Sequence, residues 1–430
     1  MGLVGLATMI GIAWLLSNNR RRVPWRLVAT GVALQAVLGF IVLKTGFGRA
    51  LFTGAAVVFT RLLGFTQEGA RFVFGNLVHN NVPVGTPSGA PADMAPLADP
   101  SLWAATGAYF AFSVLPTIIF FSALTSVLYH LGIMQRVVQG MAWGFQRVLG
   151  TSGAETLSAS GNIFVGHTEA PLLIKPFVGT LTVSELNTVM VGGFATIAGG
   201  VMAAYVGMLL PFFPDIAGHL LTASVMNAPA GLLISKILVP ETEIPVTRGT
   251  VKVEVARSET NVIEAAAAGA SQGMQLALNV GAMLLAFIAL IALINAVLGA
   301  AGGVVGVEGL GLERIFGWVL APLAWLMGVP WSDAGVVGAL LGLKVSVNEF
   351  VAYLQLAGLM GTEALSARAE VIATYALLGF ANFAAIAILI GGIGGIAPER
   401  RADLARLGIK AMIGGNLAAF MSASLAGMLL

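Results

Sequence analysis

GNIFVGHTEAP, residues 161–171, is the stretch that decides how this chain folds. Histidine, threonine and glutamate stand together there between two short apolar arms, the whole running over 151–181. Neither arm is long enough to cross a bilayer, which takes about 20 mostly apolar residues. A re-entrant hairpin, entering and leaving the membrane on one side, fits that pattern. Irregular backbone at such depth is tolerated only where protein buries it or it lines a cavity. A second stretch has the same build: KVSVNEFVAY, residues 344–353, lies at the centre of a hairpin over 334–357.

Working outward, each hairpin is followed by an apolar span with a matching interruption. After the first comes Gly193-Phe194-Ala195-Thr196-Ile197-Ala198, and after the second Gly379-Phe380-Ala381-Asn382-Phe383-Ala384. Upstream, Thr168-Glu169 corresponds to Asn348-Glu349. The chain therefore carries an internal repeat of hairpin plus broken helix.

Composition sets the solvent. The 430 residues are 57% hydrophobic and 10% charged, against about 25% charged in a soluble domain. With 22 basic and 20 acidic residues there is no basic excess to suggest nucleic acid. Cysteine is absent, which excludes disulfides, thiolate metal sites and cysteine nucleophiles. Charge follows the first apolar stretch, at Arg20, Arg21, Arg22 and Arg26, the reverse of a cleavable signal peptide.

Spans are expected near 2–16, 27–46, 107–129, 186–210, 217–238, 272–298, 369–396 and 409–430. With both termini outside, the inner segments hold 15 of the 22 basic residues, as the positive-inside rule requires. In that threading the two broken helices run in opposite directions, so the repeats are inverted, a recurring design of secondary transporters. An amphipathic helix at the outer interface is expected over 48–79, an exposed outer loop over 80–101, an inner interfacial helix over 132–149 and a polar cytoplasmic loop over 240–262. The fold class is an all-α polytopic membrane protein with eight transmembrane helices, two re-entrant hairpins and two broken helices in inverted repeats. It divides into an N-terminal region (1–150), a first repeat (151–238), a connecting region of cytoplasmic loop, scaffold span and outer loop (239–333) and a second repeat (334–430).

Glu169 and Glu349 carry the chemistry. An acidic residue at a helix centre opposes insertion by roughly 2.5–3.5 kcal/mol. A polar solute rich in hydroxyl, amide and N–H groups would offset that cost, as would pairing with Lys175 and Lys344. Asn162, Thr168, Thr196, Asn348 and Asn382 lie at the same interruptions. Free helix-end carbonyls beside Asn162 and Thr196 suit a hard cation such as Na⁺, although Asn and Thr also serve as interhelical hydrogen bonders. His167-x-Glu169 matches part of a zinc deaminase signature, but the required cysteines are missing. There is no Gly-Lys-Ser/Thr of a nucleotide-binding loop. The chain reads as a transporter and not an enzyme; an intramembrane hydrolase or a channel is the competing class, and no catalytic residue or cofactor is expected.

GNIFVGHTEAPLLIKPF (161–177), KVSVNEFVAY (344–353) and GFANFAAIAILIGGIGGIAPERR (379–401) resemble the first hairpin, second hairpin and seventh span of the concentrative nucleoside transporters. The resemblance runs over almost the whole chain. It implies a homotrimer in the bacterial inner membrane, with a scaffold and a mobile, elevator-like transport domain. It also implies nucleoside uptake driven by Na⁺, with H⁺ as the coupling ion in some members. Nucleobase contacts would fall at His167, Thr168, Glu169 and Val201, and ribose contacts at Glu349, Phe380 and Asn382. The Na⁺ site would use the side chains of Asn162 and Thr196 with the backbone carbonyls of Val165, Thr196 and Ile197. The chain departs from the family pattern at His167, usually Gln, at Ala385, often Ser, and at Thr196, usually Ser. The first leaves base preference open, the second removes a ribose-side hydrogen bond or hands it to water, and the third keeps the hydroxyl and with it the expectation of Na⁺; the first two keep another polar solute, such as a free base or modified nucleoside, as the alternative substrate.

Overall fold

The computed structural model describes residues 1–79, 110–248, 259–304 and 306–430, with the backbone of four three-residue strands between 81 and 105. The N-terminal region holds α1 (Gly2–Leu15), α2 (Trp25–Lys44), α3 (Gly46–Phe74, extended by a 3-10 turn to Val78), α4 (Leu115–His130, entered through a π turn from Phe110) and α5 (Ile133–Leu149). The outer loop expected over 80–101 lies largely outside the described residues. The strands β1 (Asn81–Pro83) and β4 (Trp103–Ala105) pair antiparallel, as do β2 (Gly85–Pro87) and β3 (Met94–Pro96). These two small ladders decorate an otherwise helical molecule.

The first repeat holds α6 (Gly153–Gly161), a 3-10 segment (Ala170–Thr180), α7 (Val183–Ala195), α8 (Gly199–Leu209) and α9 (Ile216–Leu238). The second holds α12 (Trp331–Ser346), α13 (Glu349–Gly361), α14 (Ala367–Leu377), α15 (Phe383–Ile396) and α16 (Arg401–Leu429). Between them lie α10 (Val262–Val304) and α11 (Leu312–Leu326). Both hairpins and both interrupted helices thus stand where the sequence places them. The arms of the first hairpin are unequal for a local reason. Pro171 and Pro176 remove backbone donors, so its returning arm is 3-10 with a kink at Ile174, whereas the second hairpin turns between two α-helices through Val347 and Asn348 alone.

Two elements differ from expectation. Residues 299–333 were expected as an outer loop, yet α11 forms there and meets α12 at a bend of 116°. Its 15 residues fall short of a span. And α10 is 43 residues long, starting well before 272. Its first turns, EAAAAGASQ, are too polar to count as a span but rich in alanine, the best helix former. The 33-residue stretch Gly46–Val78 is also long and apolar enough to cross; its interfacial placement is part of the topology proposed below.

Burial divides the helices into two classes. The spanning windows of α7–α8, α9 and α16 are 83–89% buried, while those of α2, α4 and α10 are 11–28% buried. The α7–α8, α9 and α16 spans of the repeats therefore form the interior, and α2, α4 and α10 present apolar side chains outward.

Polar anchors fix the ends of the first repeat. Ser152 and Thr182 open α6 and α7 with capping boxes to Glu155 and Glu185. Ser152 Oγ also donates to Glu185 Oε1 at 2.5 Å, joining the two helix starts. From α9, buried Lys236 reaches Glu155 at 2.8 Å and Glu241 at 3.3 Å.

Candidate functional site

The two interruptions meet in the interior. Gly379 has φ +107, and a Cβ there would lie 2.5 Å from the Phe194 carbonyl oxygen and 2.9 Å from the Ala195 carbonyl. Only glycine adopts that conformation at that approach without strain. The second Gly-Phe-Ala is thereby laid against the first. Thr196 (φ −119, ψ 178) and Ala198 (φ −63, ψ 140) are extended in the first break, and Asn382 (φ −133, ψ 168) in the second.

Glu349 begins α13 and is 4% exposed. Its Oε1 accepts a hydrogen bond from the Tyr205 hydroxyl at 3.1 Å, and its Oε2 one from Asn382 Nδ2 at 2.9 Å. The Asn382 amide has two jobs, because its Oδ1 also accepts from Ala385 N and caps α15. Asn348 caps α13 in the same way through Val351 N. Tyr205 stacks on Tyr353 at 4.3 Å between ring centroids and meets the edge of Phe350 at 5.1 Å. The Tyr353 hydroxyl donates to the Thr374 carbonyl at 2.7 Å. Two carboxylate oxygens can accept about four hydrogen bonds, so Glu349 retains acceptor capacity for hydroxyl groups of a solute.

Lys344 does not pair with Glu349. Its ammonium donates to the carbonyls of Ala376 (2.9 Å) and Leu378 (3.1 Å), neutralising helix-end oxygens of α14. Lys175 is exposed and, among the described residues, forms no ion pair. Internal ion pairing therefore does not account for the two carboxylates.

His167 stands on the other side. It is 9% exposed, and both ring nitrogens lack a hydrogen-bond partner among the described residues. Its ring lies 4.7 Å from that of half-buried Phe380. Since Phe380 is two residues from Asn382, the series His167, Phe380, Asn382, Glu349 and Tyr205 is continuous. Thr168 packs by its methyl against Gly392 of α15, and Val201 is buried in the first turn of α8. Glu169 differs from Glu349. Its carboxylate is accessible to solvent and folds back on Gly166, whereas that of Glu349 is closed off. The long turn after α6 leaves its carboxylate open to solvent although it stands deep among the surrounding protein, whereas the two-residue turn before α13 holds Glu349 closed off.

Asn162 ends α6 at 1% exposure, and neither its Oδ1 nor its Nδ2 has a partner among the described residues. It faces Gly192, whose carbonyl accepts the Thr196 hydroxyl at 2.8 Å. Among the described residues the carbonyls of Val165, Thr196 and Ile197 accept no hydrogen bond. A buried unpaired amide oxygen and three unpaired carbonyls on the same hairpin and break are the kind of oxygen donors that suit a hard cation. Sequence reasoning missed Tyr205. A single phenol in an apolar span with no counterpart in the other repeat was its only signal.

Hairpins, crossed breaks and a buried polar site between them define a secondary transporter of the inverted-repeat kind. Models of the Na+ dependent nucleoside transporter match at residues 4–77 (its N-terminus) and 219–427 (its C-terminus), and a nucleoside recognition model matches at 111–212. The chain belongs to the concentrative nucleoside transporter family. It is 46% identical over 430 residues to an uncharacterized transporter of Haemophilus influenzae, covering 99% of this chain and 96% of that one. It is 42% identical to the nucleoside permease NupC of Helicobacter pylori, covering 99% and 96%. It is 40% identical to the sodium/nucleoside cotransporter 1 of Mus musculus, covering 99% of this chain and 63% of that protein. The transporter CNTnw in an inward-facing substrate-bound state superposes with a TM-score of 0.87 at 44% identity, over 100% of this chain and 97% of that one.

Proposed function

We propose that this protein takes up nucleosides by symport with Na⁺ across the bacterial inner membrane. The observation that carries the reading is the arrangement of Glu349, held by Tyr205 and Asn382 with acceptor capacity to spare, across from His167 with two unpaired ring nitrogens. In this reading Glu349 and Asn382 bind the ribose hydroxyls, and Phe380 flanks the sugar and base. His167, Thr168, Glu169 and Val201 line the base side. Na⁺ is held by Asn162, Thr196 and the carbonyls of Val165, Thr196 and Ile197. The ion orders the first break, next to the base side, so ion and nucleoside binding support one another.

The transport unit comprises the repeats 151–238 and 334–430, and it moves elevator-like against a scaffold containing α2, α4 and α10, assembled as a homotrimer. Both termini lie in the periplasm, with α3 at the outer interface and α5 at the inner one. One Na⁺ entering down a membrane potential contributes about 2.3 kcal/mol per 100 mV. Proteoliposomes supply the test. Labelled uridine or adenosine should accumulate above its outside concentration under an inward Na⁺ gradient and stop doing so when K⁺ replaces Na⁺. Absence of gradient-dependent uptake for every common nucleoside rejects the proposal. Strong competition by free bases against uridine would move the assignment to the alternative substrate.

A further inference from the structure

Each broken helix is followed by a long buried span, α9 after the first and α16 after the second. Asn227 of α9 donates through Nδ2 to the Ala195 carbonyl at 2.7 Å, and Asn416 of α16 donates through Nδ2 to the Ala381 carbonyl at 2.9 Å. Ala195 and Ala381 are the same position of the repeat, the third residue of each Gly-Phe-Ala. Asn416 adds a second bond, to the Met412 carbonyl at 3.2 Å. Both amide oxygens are buried without a partner among the described residues. The amide orientation is nevertheless set, because turning either side chain would place oxygen against the carbonyl oxygen. A break in a helix leaves carbonyls that lipid cannot satisfy, and the chain meets that need twice with the same residue type in the same relation.

We infer that Asn227 and Asn416 are paired positioning residues that hold the two breaks in their binding-competent shapes, Asn227 for the cation and Asn416 for the nucleoside. Ala195 directly precedes Thr196 and Ile197, whose carbonyls accept no hydrogen bond among the described residues and are free for the proposed cation. Ala381 directly precedes Asn382, which holds Glu349 and caps α15. The symmetry of the clamps therefore predicts an asymmetry of their effects. The assignment of the two ligands rests on the function proposed above; the clamping itself does not.

The chain contains no cysteine, so one introduced thiol reports one break. Cysteine is placed at Ala198, at the end of the first break, or at Phe383, which directly follows the second, and its alkylation by a small maleimide is timed in membranes. Asn227→Leu and the near-isosteric Asn227→Asp change the rate at 198 by about threefold or more and leave that at 383 within about 1.5-fold, as local opening confined to one break requires. Asn416→Leu does the reverse. Equal changes at both thiols, or none at the thiol of the same repeat, overturn the clamp. In uptake, Asn227→Leu raises the Na⁺ concentration for half-maximal rate about tenfold at saturating nucleoside, and Asn416→Leu raises the nucleoside KM about tenfold at saturating Na⁺, the size expected for one lost buried hydrogen bond. Parallel shifts of both constants in both variants overturn the division of labour. Loss of Na⁺-dependent uptake in the unmodified protein would reject the proposed function and leave the alkylation rates to decide the clamp.

Discussion

The two repeats share a backbone plan, but the polar groups of their hairpins are met in different ways. In the second, Glu349, Lys344, Asn348 and Asn382 all find partners within the protein. In the first, both polar atoms of Asn162 and both ring nitrogens of His167 have none among the described residues, and Glu169 is exposed. A satisfied network is rigid before a ligand arrives, and an unsatisfied buried group costs about 1–3 kcal/mol until something meets it. The second repeat is accordingly the preorganised half, and the first is the half that a cation and a base complete. Coupling follows from this difference, since the ligand-dependent half is where ordering by one ligand lowers the cost for the other.

The largest effect comes from breaking the preorganised half. In Glu349→Gln the new amide places a donor against either Tyr205 or Asn382, both of which now donate to the carboxylate. Hydrogen bonds to a charged group are worth about 1.5–3 kcal/mol each, so two disturbed bonds lower uptake on the order of 100-fold or more. Initial rates of uridine uptake, normalised to inserted protein, measure this; retention of more than about a tenth of the wild-type rate removes Glu349 from the site.

The ligand-dependent half should fail in a different manner. Asn162→Leu removes the amide oxygen from the cation site and leaves Glu349 untouched. Half-saturation by Na⁺ then rises about 10–30-fold, the equivalent of roughly 1.4–2 kcal/mol, while maximal uptake at saturating Na⁺ is kept. Sodium titration of uridine uptake distinguishes the outcomes. An unchanged titration curve means that the cation binds elsewhere.

A smaller effect tests how far preorganisation depends on one partner. Tyr205→Phe takes one of the two donors, Tyr205 and Asn382, from Glu349 and keeps the ring stack on Tyr353. The nucleoside KM should rise about tenfold, as for one hydrogen bond to a carboxylate. Sodium half-saturation should stay as it was. Equal shifts in both constants would mean that the two halves are not separable in the way the geometry suggests.

Much of this was legible in the sequence because it is local. Spans show as apolar runs, and the breaks show because Gly379 and its neighbours recur as Gly-Phe-Ala at Gly193. What stayed hidden depends on distance along the chain or on direction. The bond from Tyr205 to Glu349 joins residues 144 positions apart, and no local pattern marks it. Lys344 was a candidate partner for Glu349 by proximity in sequence, yet its ammonium turns to the carbonyls of α14, where helix-end oxygens need a donor. Glu169 and Glu349 look alike as letters, but the length of the turn before each decides which carboxylate is open to solvent. The helix α11 escaped notice because Glu313, Arg314 and Pro322 interrupt a run too short to span.

The finest test exchanges one residue between this chain and the pattern of its family. His167 presents two ring nitrogens in one plane, one a donor and one an acceptor when neutral. Their geometry is rigid, while the amide of glutamine offers both functions on a flexible stem. In His167→Gln the hydrogen bonds of Glu349 and the cation site are unchanged, since neither Glu349 nor Asn162 touches this residue by hydrogen bond. The ratio of kcat/KM for uridine to that for adenosine should therefore shift by a few-fold, about 1 kcal/mol, with total transport capacity kept. Sodium half-saturation provides the internal control. A constant ratio with altered overall rate would place His167 in the support of the hairpin and take it off the base, because a packing defect weakens all nucleosides alike whereas a base contact discriminates among them.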